Sequence, residues 1–150
     1  MNKFFKIISL LVLIYGCSYK PILSNQKYNF AFNKIDTKGE KSINGFIKSN
    51  LINKSTGEEK FDILLNTTKN KKIISSDQKG DPLVFELTIT LNYEVKKNNE
   101  NIISETIKKK ISYNNIKDKF ELSKYEENIK KNISANISDE ILIGLTKFME

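Results

Sequence analysis

The chain has 150 residues and a formal net charge of +7, and its 25 basic residues are all lysine. It contains one cysteine and no histidine, which excludes an internal disulfide, an imidazole base and a histidine-containing metal site. A chain of this length is enough for one modest domain with a single core.

The first predicted element is an export signal. Lys3 and Lys6 form a positive start, and an apolar run follows over residues 7–15. Nine helical residues reach about 13 Å, less than half of a ~30 Å hydrocarbon core, so the run is too short to span a bilayer. We therefore predict that residues 1–16 are a signal peptide.

The only cysteine, Cys17, directly follows this signal. Gly16-Cys17 resembles a bacterial lipobox, where a peptidase cuts after a small residue and before a cysteine whose sulfur carries a diacylglycerol. We predict cleavage and lipidation at Cys17, with an acylated tether over residues 17–27, because several acyl chains together give stable anchoring. Ser18, where an Asp usually retains lipoproteins at the inner membrane, favours the outer membrane. The alternative is a signal peptide without lipidation.

A strand and a helix are predicted next. The segment YNFAFNKI has aromatic residues at period two, which indicates a strand beginning at Tyr28. Thr37 and Glu40 have the spacing of a capping box at the start of a helix. Apolar residues then recur every three or four positions and predict an amphipathic helix that ends before Asn53; they are Ile43, Phe46, Ile47 and Leu51.

Three strands follow this helix. The first has Phe61, Ile63 and Leu65 on one face and then becomes polar. The second, PLVFELTITLNYEV, alternates apolar and mostly polar residues seven times, from Leu83 to Val95. Asn98-Asn99 suits a hairpin turn, since asparagine tolerates positive φ. The third strand carries Ile103, Ile107, Ile111 and Tyr113 on one face. Glu105 and Lys109 interrupt that face, which predicts an edge position.

A long C-terminal helix completes the order. Ser123 and Glu126 have the spacing of a second capping box. An apolar stripe repeats every four residues and is expected to pack on the sheet; it comprises Tyr125, Ile129, Ile133, Ile137, Ile141, Leu145 and Phe148. Residues 28–150 are thus predicted to form a single α+β domain. Its fold is a two-layer sandwich of order β-α-β-β-β-α, a four-stranded mixed sheet with two helices on one face.

The residues required for catalysis are difficult to find. Histidine is absent, the cysteine is used by the anchor, and no glycine-rich phosphate loop occurs. We expect no enzymatic activity, no cofactor and no metal site. An export signal also removes nucleic acid from the compartment, so an anionic lipid or membrane surface is the better partner for the basic chain.

The predicted topology places four lysines at one end of the sheet. The turn that holds Lys79 and the loop with Lys117, Lys119 and Lys124 should lie together, far from Cys17. These four are the candidate lipid-binding residues. The alternative is that they are ordinary solvated loop lysines.

Taken together, these segments resemble the LPS-assembly lipoprotein LptE family, in its alphaproteobacterial branch. The resemblance rests on YGCSYKPI, the early strand and helix, PLVFELTITLNYEV, ISYN and the isoleucine-striped terminal helix. It implies an outer-membrane lipoprotein that faces the periplasm, plugs an LptD-type β-barrel and assists lipopolysaccharide assembly, with binding of lipopolysaccharide. Two alternatives are a periplasmic lipid-binding accessory lipoprotein of an ABC-type transporter and a purely structural lipoprotein.

Overall fold

The computed structural model describes residues 27–150. The predicted signal peptide, Cys17 and nearly all of the predicted tether lie outside these residues. The elements, in chain order, are β1 Tyr28–Gly39, α1 Lys41–Lys54, β2 Ser55–Ser76, β3 Pro82–Lys97, β4 Glu100–Asn114 and α2 Lys119–Met149. Both helices are longer than predicted, because α1 runs through Lys54 and α2 begins at Lys119.

The four strands form one mixed sheet in the order β1-β2-β3-β4. Strand β1 pairs with β2 in parallel, whereas the β2–β3 and β3–β4 pairs are antiparallel. The hairpin between β3 and β4 turns at Asn98 and Asn99, whose φ angles are 53° and 68°. The predicted α+β fold, with two helices on a four-stranded mixed sheet, is confirmed.

The core lies between the sheet and the two helices. Strand β3 buries every second residue from Phe85 to Val95, as its alternation predicts. Leu83, the first residue of that pattern, is instead 49% exposed, because it lies at the open end of the sheet. The terminal helix behaves in the same way: the stripe from Ile129 to Leu145 is buried, whereas Tyr125 and Phe148 at its ends are exposed.

Both predicted capping boxes are wrong. Thr37 belongs to β1, and the N-cap of α1 is Glu40, whose side chain makes no capping hydrogen bond. Ser123 lies inside α2, which begins earlier because the carboxylate of Asp118 accepts hydrogen bonds from the backbone amides of Phe120 and Glu121. Asp118 thus satisfies free amide donors at the helix start.

Strand β4 lies at an edge of the sheet, as predicted. Tyr93 donates a hydrogen bond to the inward carboxylate of Glu105 at 2.9 Å, and Lys109 forms an ion pair with Glu140 of α2. Ile111 is partly exposed, contrary to its place in the predicted apolar face. Inward charges of this kind hinder pairing with a foreign strand, so this edge is protected.

The other side of the sheet is not protected over its whole length. Pairing between β1 and β2 ends at Gly39 and Thr67, where Gly39 has φ +85°. A Cβ atom at Gly39 would lie 1.9 Å from the carbonyl oxygen of Thr67, so glycine is required for the chain to turn there. Strand β2 continues for nine further residues, 68–76, all of them exposed. We call this segment the β2 extension.

Candidate lipid-binding end

The turn between β2 and β3 and the loop between β4 and α2 lie at the same end of the sheet. The backbone amide of Asn115 donates to the carbonyl of Leu83 at 2.8 Å, and its carboxamide donates to the carbonyl of Pro82 at 2.8 Å. We call this the distal end. Strand β1 starts at the opposite end, where Tyr28 pairs with Ser55, the first residue of β2. The placement of these two segments agrees with the predicted topology.

A cleft of about 450 Å³ opens at the distal end, between the sheet and the first turns of α2. Its walls are partly apolar, with basic side chains among them. The lining residues are Lys71, Pro82, Phe85, Asn115, Ile116, Lys117, Lys119, Leu122, Ser123 and Glu126. Apolar walls with a few polar groups suit an amphipathic molecule.

A connected group of side chains forms one wall of this cleft. Glu126 accepts hydrogen bonds from Lys71 Nζ at 2.5 Å and from the hydroxyl of Tyr113 at 2.7 Å. The ammonium of Lys71 also lies 3.9 Å from the ring centroid of Phe85, within the range of a cation–π contact. Two strands and α2 therefore hold this wall in one geometry.

The protonation of the group follows from these contacts. Burial raises the pKa of Glu126, but the hydrogen bonds from Lys71 and Tyr113 outweigh burial and leave that pKa below its ordinary value. Burial, and then the hydrogen bond to Glu126, raise the pKa of the Tyr113 hydroxyl. At neutral pH the pair is therefore a carboxylate and a neutral phenol.

The four predicted lysines all lie on the segments of the distal end and are exposed. Lys117 and Lys119 line the cleft, whereas Lys79 and Lys124 lie outside its lining. The surrounding sequence is not strongly basic, since residues 115–127 contain three lysines and four carboxylates. Residues 77–81 contain one lysine and two carboxylates. The structure thus brings together two of the four lysines.

Sequence reasoning missed Lys71, the one lysine that both lines the cleft and touches its aromatic wall. The polar start of the β2 extension hid it, because the inward positions change from Leu65 and Thr67 to Lys69 and Lys71. The register would have found it: Lys71 pairs with Leu87 of β3, a residue already predicted to face the core. Same-face partners on adjacent strands point the same way.

The face of the sheet away from the helices is polar. Its distal half has three lysines, Lys72, Lys108 and Lys110, and the carboxylate of Glu86. Lys72 and Lys110 lie 3.0 Å and 3.6 Å from that carboxylate, and the hydrogen bond from Lys72 does most to lower the pKa of Glu86. This face therefore has more positive charge than the loops of the distal end.

Two further features bear on the kind of site. Within residues 27–150, no group of three or more His, Cys, Asp or Glu side chains is placed to hold a metal ion. No helix among the described residues is long and apolar enough to cross a membrane. A larger hollow, about 890 Å³, lies at the opposite end, against Lys27 and Tyr28.

The fold is found in several solved lipoprotein structures. Rare lipoprotein B from Shewanella oneidensis aligns with 77% of this chain and 95% of its own, at 14% identity and a TM-score of 0.58. Uncharacterized lipoprotein B from Nitrosomonas europaea aligns with 89% of this chain and 93% of its own, at 14% identity and a TM-score of 0.58.

A third example is a minor lipoprotein from Acinetobacter baumannii, with 77% of this chain and 94% of its own aligned, 12% identity and a TM-score of 0.50. No protein-family model and no curated protein matches the chain. At identities this low, the likeness establishes a shared fold. The chain therefore has the two-layer α+β fold of these small lipoproteins.

Proposed function

We propose that this protein is an outer-membrane lipoprotein of the LptE type, which partners and plugs an LptD-type β-barrel and assists lipopolysaccharide assembly. The observation that supports this most is the shared fold with rare lipoprotein B over 95% of that chain. The lipobox-like Gly16-Cys17 supports it independently, since a lipoprotein needs a cysteine at that point. The role is non-enzymatic.

The polar outer face of the sheet supports the plug role. Neither helix covers this face, and its β3 residues are polar from Glu86 to Lys96. A plug inside a water-filled barrel needs a surface of this kind, because transmembrane barrel interiors are polar. The helix α2, at ~1.5 Å rise over its 31 residues, extends about 46 Å, long enough to follow a barrel lumen.

The distal cleft is the proposed site of lipopolysaccharide contact. Lys117 and Lys119 at its opening offer point charges for phosphate groups, while Phe85, Ile116 and Leu122 offer apolar walls. The acyl anchor at Cys17 precedes β1, whose first residue, Tyr28, lies at the other end of the sheet. A plug tethered there would present the cleft away from the membrane attachment.

Affinity purification of the full-length protein from detergent-solubilised membranes tests the assignment. We expect one large β-barrel protein to co-purify in equal amounts, and a Cys17→Ser variant to recover much less of it. Recovery of an inner-membrane transporter instead would favour the accessory lipoprotein of an ABC-type system. Recovery of neither would favour a purely structural lipoprotein.

A further inference from the structure

The β2 extension has one free edge. Its residues pair with β3 from Thr68 and Thr90 to Ser76 and Pro82, so one side of the strand is satisfied. Strand β1 has already left the sheet at Gly39, so it offers no partner on the other side. The last contact there is the amide of Glu40, which donates to the carbonyl of Thr67 at 3.0 Å.

The position of that last contact identifies the backbone groups on the free edge. The carbonyl of Thr67 points toward β1, and the backbone groups of a strand alternate sides at every residue. The amides and carbonyls of Lys69, Lys71 and Ile73 therefore point to the open side. Among residues 27–150, no backbone or side-chain group is hydrogen-bonded to them.

We propose that this edge is a docking site for an extended, acidic segment of another protein, which adds a strand beside β2. Strand addition of this kind takes its affinity from main-chain hydrogen bonds and its selectivity from alternate side chains. The β2 extension contains three lysines and no carboxylate. Acidic residues on an added strand would meet Lys69 and Lys72, and an apolar residue would meet Ile73, which is 52% exposed.

The existing ion pairs do not block this exchange. Lys69 pairs with Glu40 at 3.2 Å and Lys72 pairs with Glu86 at 3.0 Å, and both lysine side chains are at least 36% exposed. Surface pairs of this kind contribute ~0–1 kcal/mol, so a carboxylate from a partner can replace the internal one at little cost.

Neither the rest of this chain nor a second copy fits the edge well. Residues 17–26 span at most about 36 Å, while the 12 residues of β1 already occupy roughly 40 Å between their start and Thr67. The helix α2 ends near Tyr28, at the opposite end. In an antiparallel pair with a second copy, Lys71 or Lys72 would face a lysine, and like charges directly opposite are destabilising.

The experiment uses full-length protein in detergent micelles and an eight-residue peptide of alternating threonine and glutamate. Amide exchange is followed by nuclear magnetic resonance. We expect the peptide to slow exchange at Lys69, Lys71 and Ile73, and a peptide with lysine in place of glutamate to leave exchange unchanged. The Lys69→Gln/Lys72→Gln variant should bind the acidic peptide roughly fivefold more weakly, from the loss of two surface pairs.

A matched pair of variants separates backbone pairing from general attraction. Ile73→Pro removes an outward amide donor and should abolish binding, whereas Ile73→Thr keeps that donor and should preserve it. If Ile73→Pro does not fold, the peptide N-methylated at alternate residues decides, since it cannot form the ladder. Binding of the N-methylated or the lysine peptide would overturn the proposal. Self-association of the protein through these amides would also overturn it, in favour of a second copy.

Discussion

The side chain of Asn44 in α1 accepts a hydrogen bond from the hydroxyl of Thr67 in β2 at 2.6 Å, and both residues are buried. The same carboxamide donates to the carbonyl of Lys38 at 2.8 Å, near the end of β1. One side chain thus joins two strands and a helix at the point where β1 leaves the sheet.

Replacing Asn44 by Ala should destabilise the fold. The change leaves the buried hydroxyl of Thr67 without a partner, and an unsatisfied buried polar group costs ~1–3 kcal/mol. We expect a clearly lower midpoint of urea unfolding. The control is Asn53→Ala, an exposed residue of the same helix, which should change the midpoint little. Equal shifts from both variants would show that helix propensity, and not the buried contact, is responsible.

Truncation on the two faces of β3 should give opposite results. Leu87 is 3% exposed and packs in the core, so Leu87→Ala should cost about 2–5 kcal/mol. Thr88, its neighbour on the polar face, is only partly covered, and Thr88→Ala should have a small effect. The measurement is the free energy of unfolding, and equal losses would contradict the assignment of faces.

The anchor can be tested separately from the fold. Cys17→Ser should yield protein that carries no acyl chains and is not cleaved before residue 17, because lipidation requires the thiol. Intact-protein mass spectrometry of the wild type should show an acylated Cys17 at the mature N-terminus. An unmodified mature N-terminus in the wild type would contradict the prediction.

The distal lysines are expected to matter unequally. Lys117→Gln/Lys119→Gln should weaken lipopolysaccharide binding more than Lys79→Gln/Lys124→Gln, because only the first pair lines the cleft. Attraction should also fall with salt, since exposed charges are screened over ~8–10 Å. Lys41→Gln/Lys48→Gln on exposed positions of α1 is the control. Equal losses in all three variants would indicate general basicity.

Glu126 should link stability to acid pH. Its pKa is lower in the folded chain than its ordinary value of 4.5, so its contribution is fully present above that pH. The contribution is lost as the pH falls through the lower pKa of the folded state. Glu126→Gln should therefore reduce the loss of stability between neutral pH and about pH 3, a range set by this linkage. Glu127→Gln, on an exposed neighbour, should leave the loss unchanged.

The sequence predicted those features that depend on local periodicity. The alternation from Phe85 to Val95 and the stripe from Ile129 to Leu145 identify their buried faces, and the strand order follows from short connections. What it missed depends on distant partners. Asp118 caps α2 where Ser123 was predicted, and Leu83 and Tyr125 are exposed because the sheet and helix extend past the core.

The cleft shows the same division. Lys117 and Lys119 were placed correctly at the distal end from topology alone. Lys71 was missed, because its contacts with Phe85 and Glu126 connect residues 14 and 55 positions apart in sequence. The free edge was missed for a related reason: the point where β1 ends depends on Asn44, which no local pattern of β1 reveals.

The parallel pairing of β1 has a consequence for the order of folding. Strands β2, β3 and β4 are joined by short turns, so their contacts close small loops and can form early. Strand β1 cannot pair until the whole of α1 has crossed back to Ser55. The segment nearest the proposed membrane anchor is thus synthesised first but joins the sheet late. During export it would remain open to chaperones while the rest of the domain assembles.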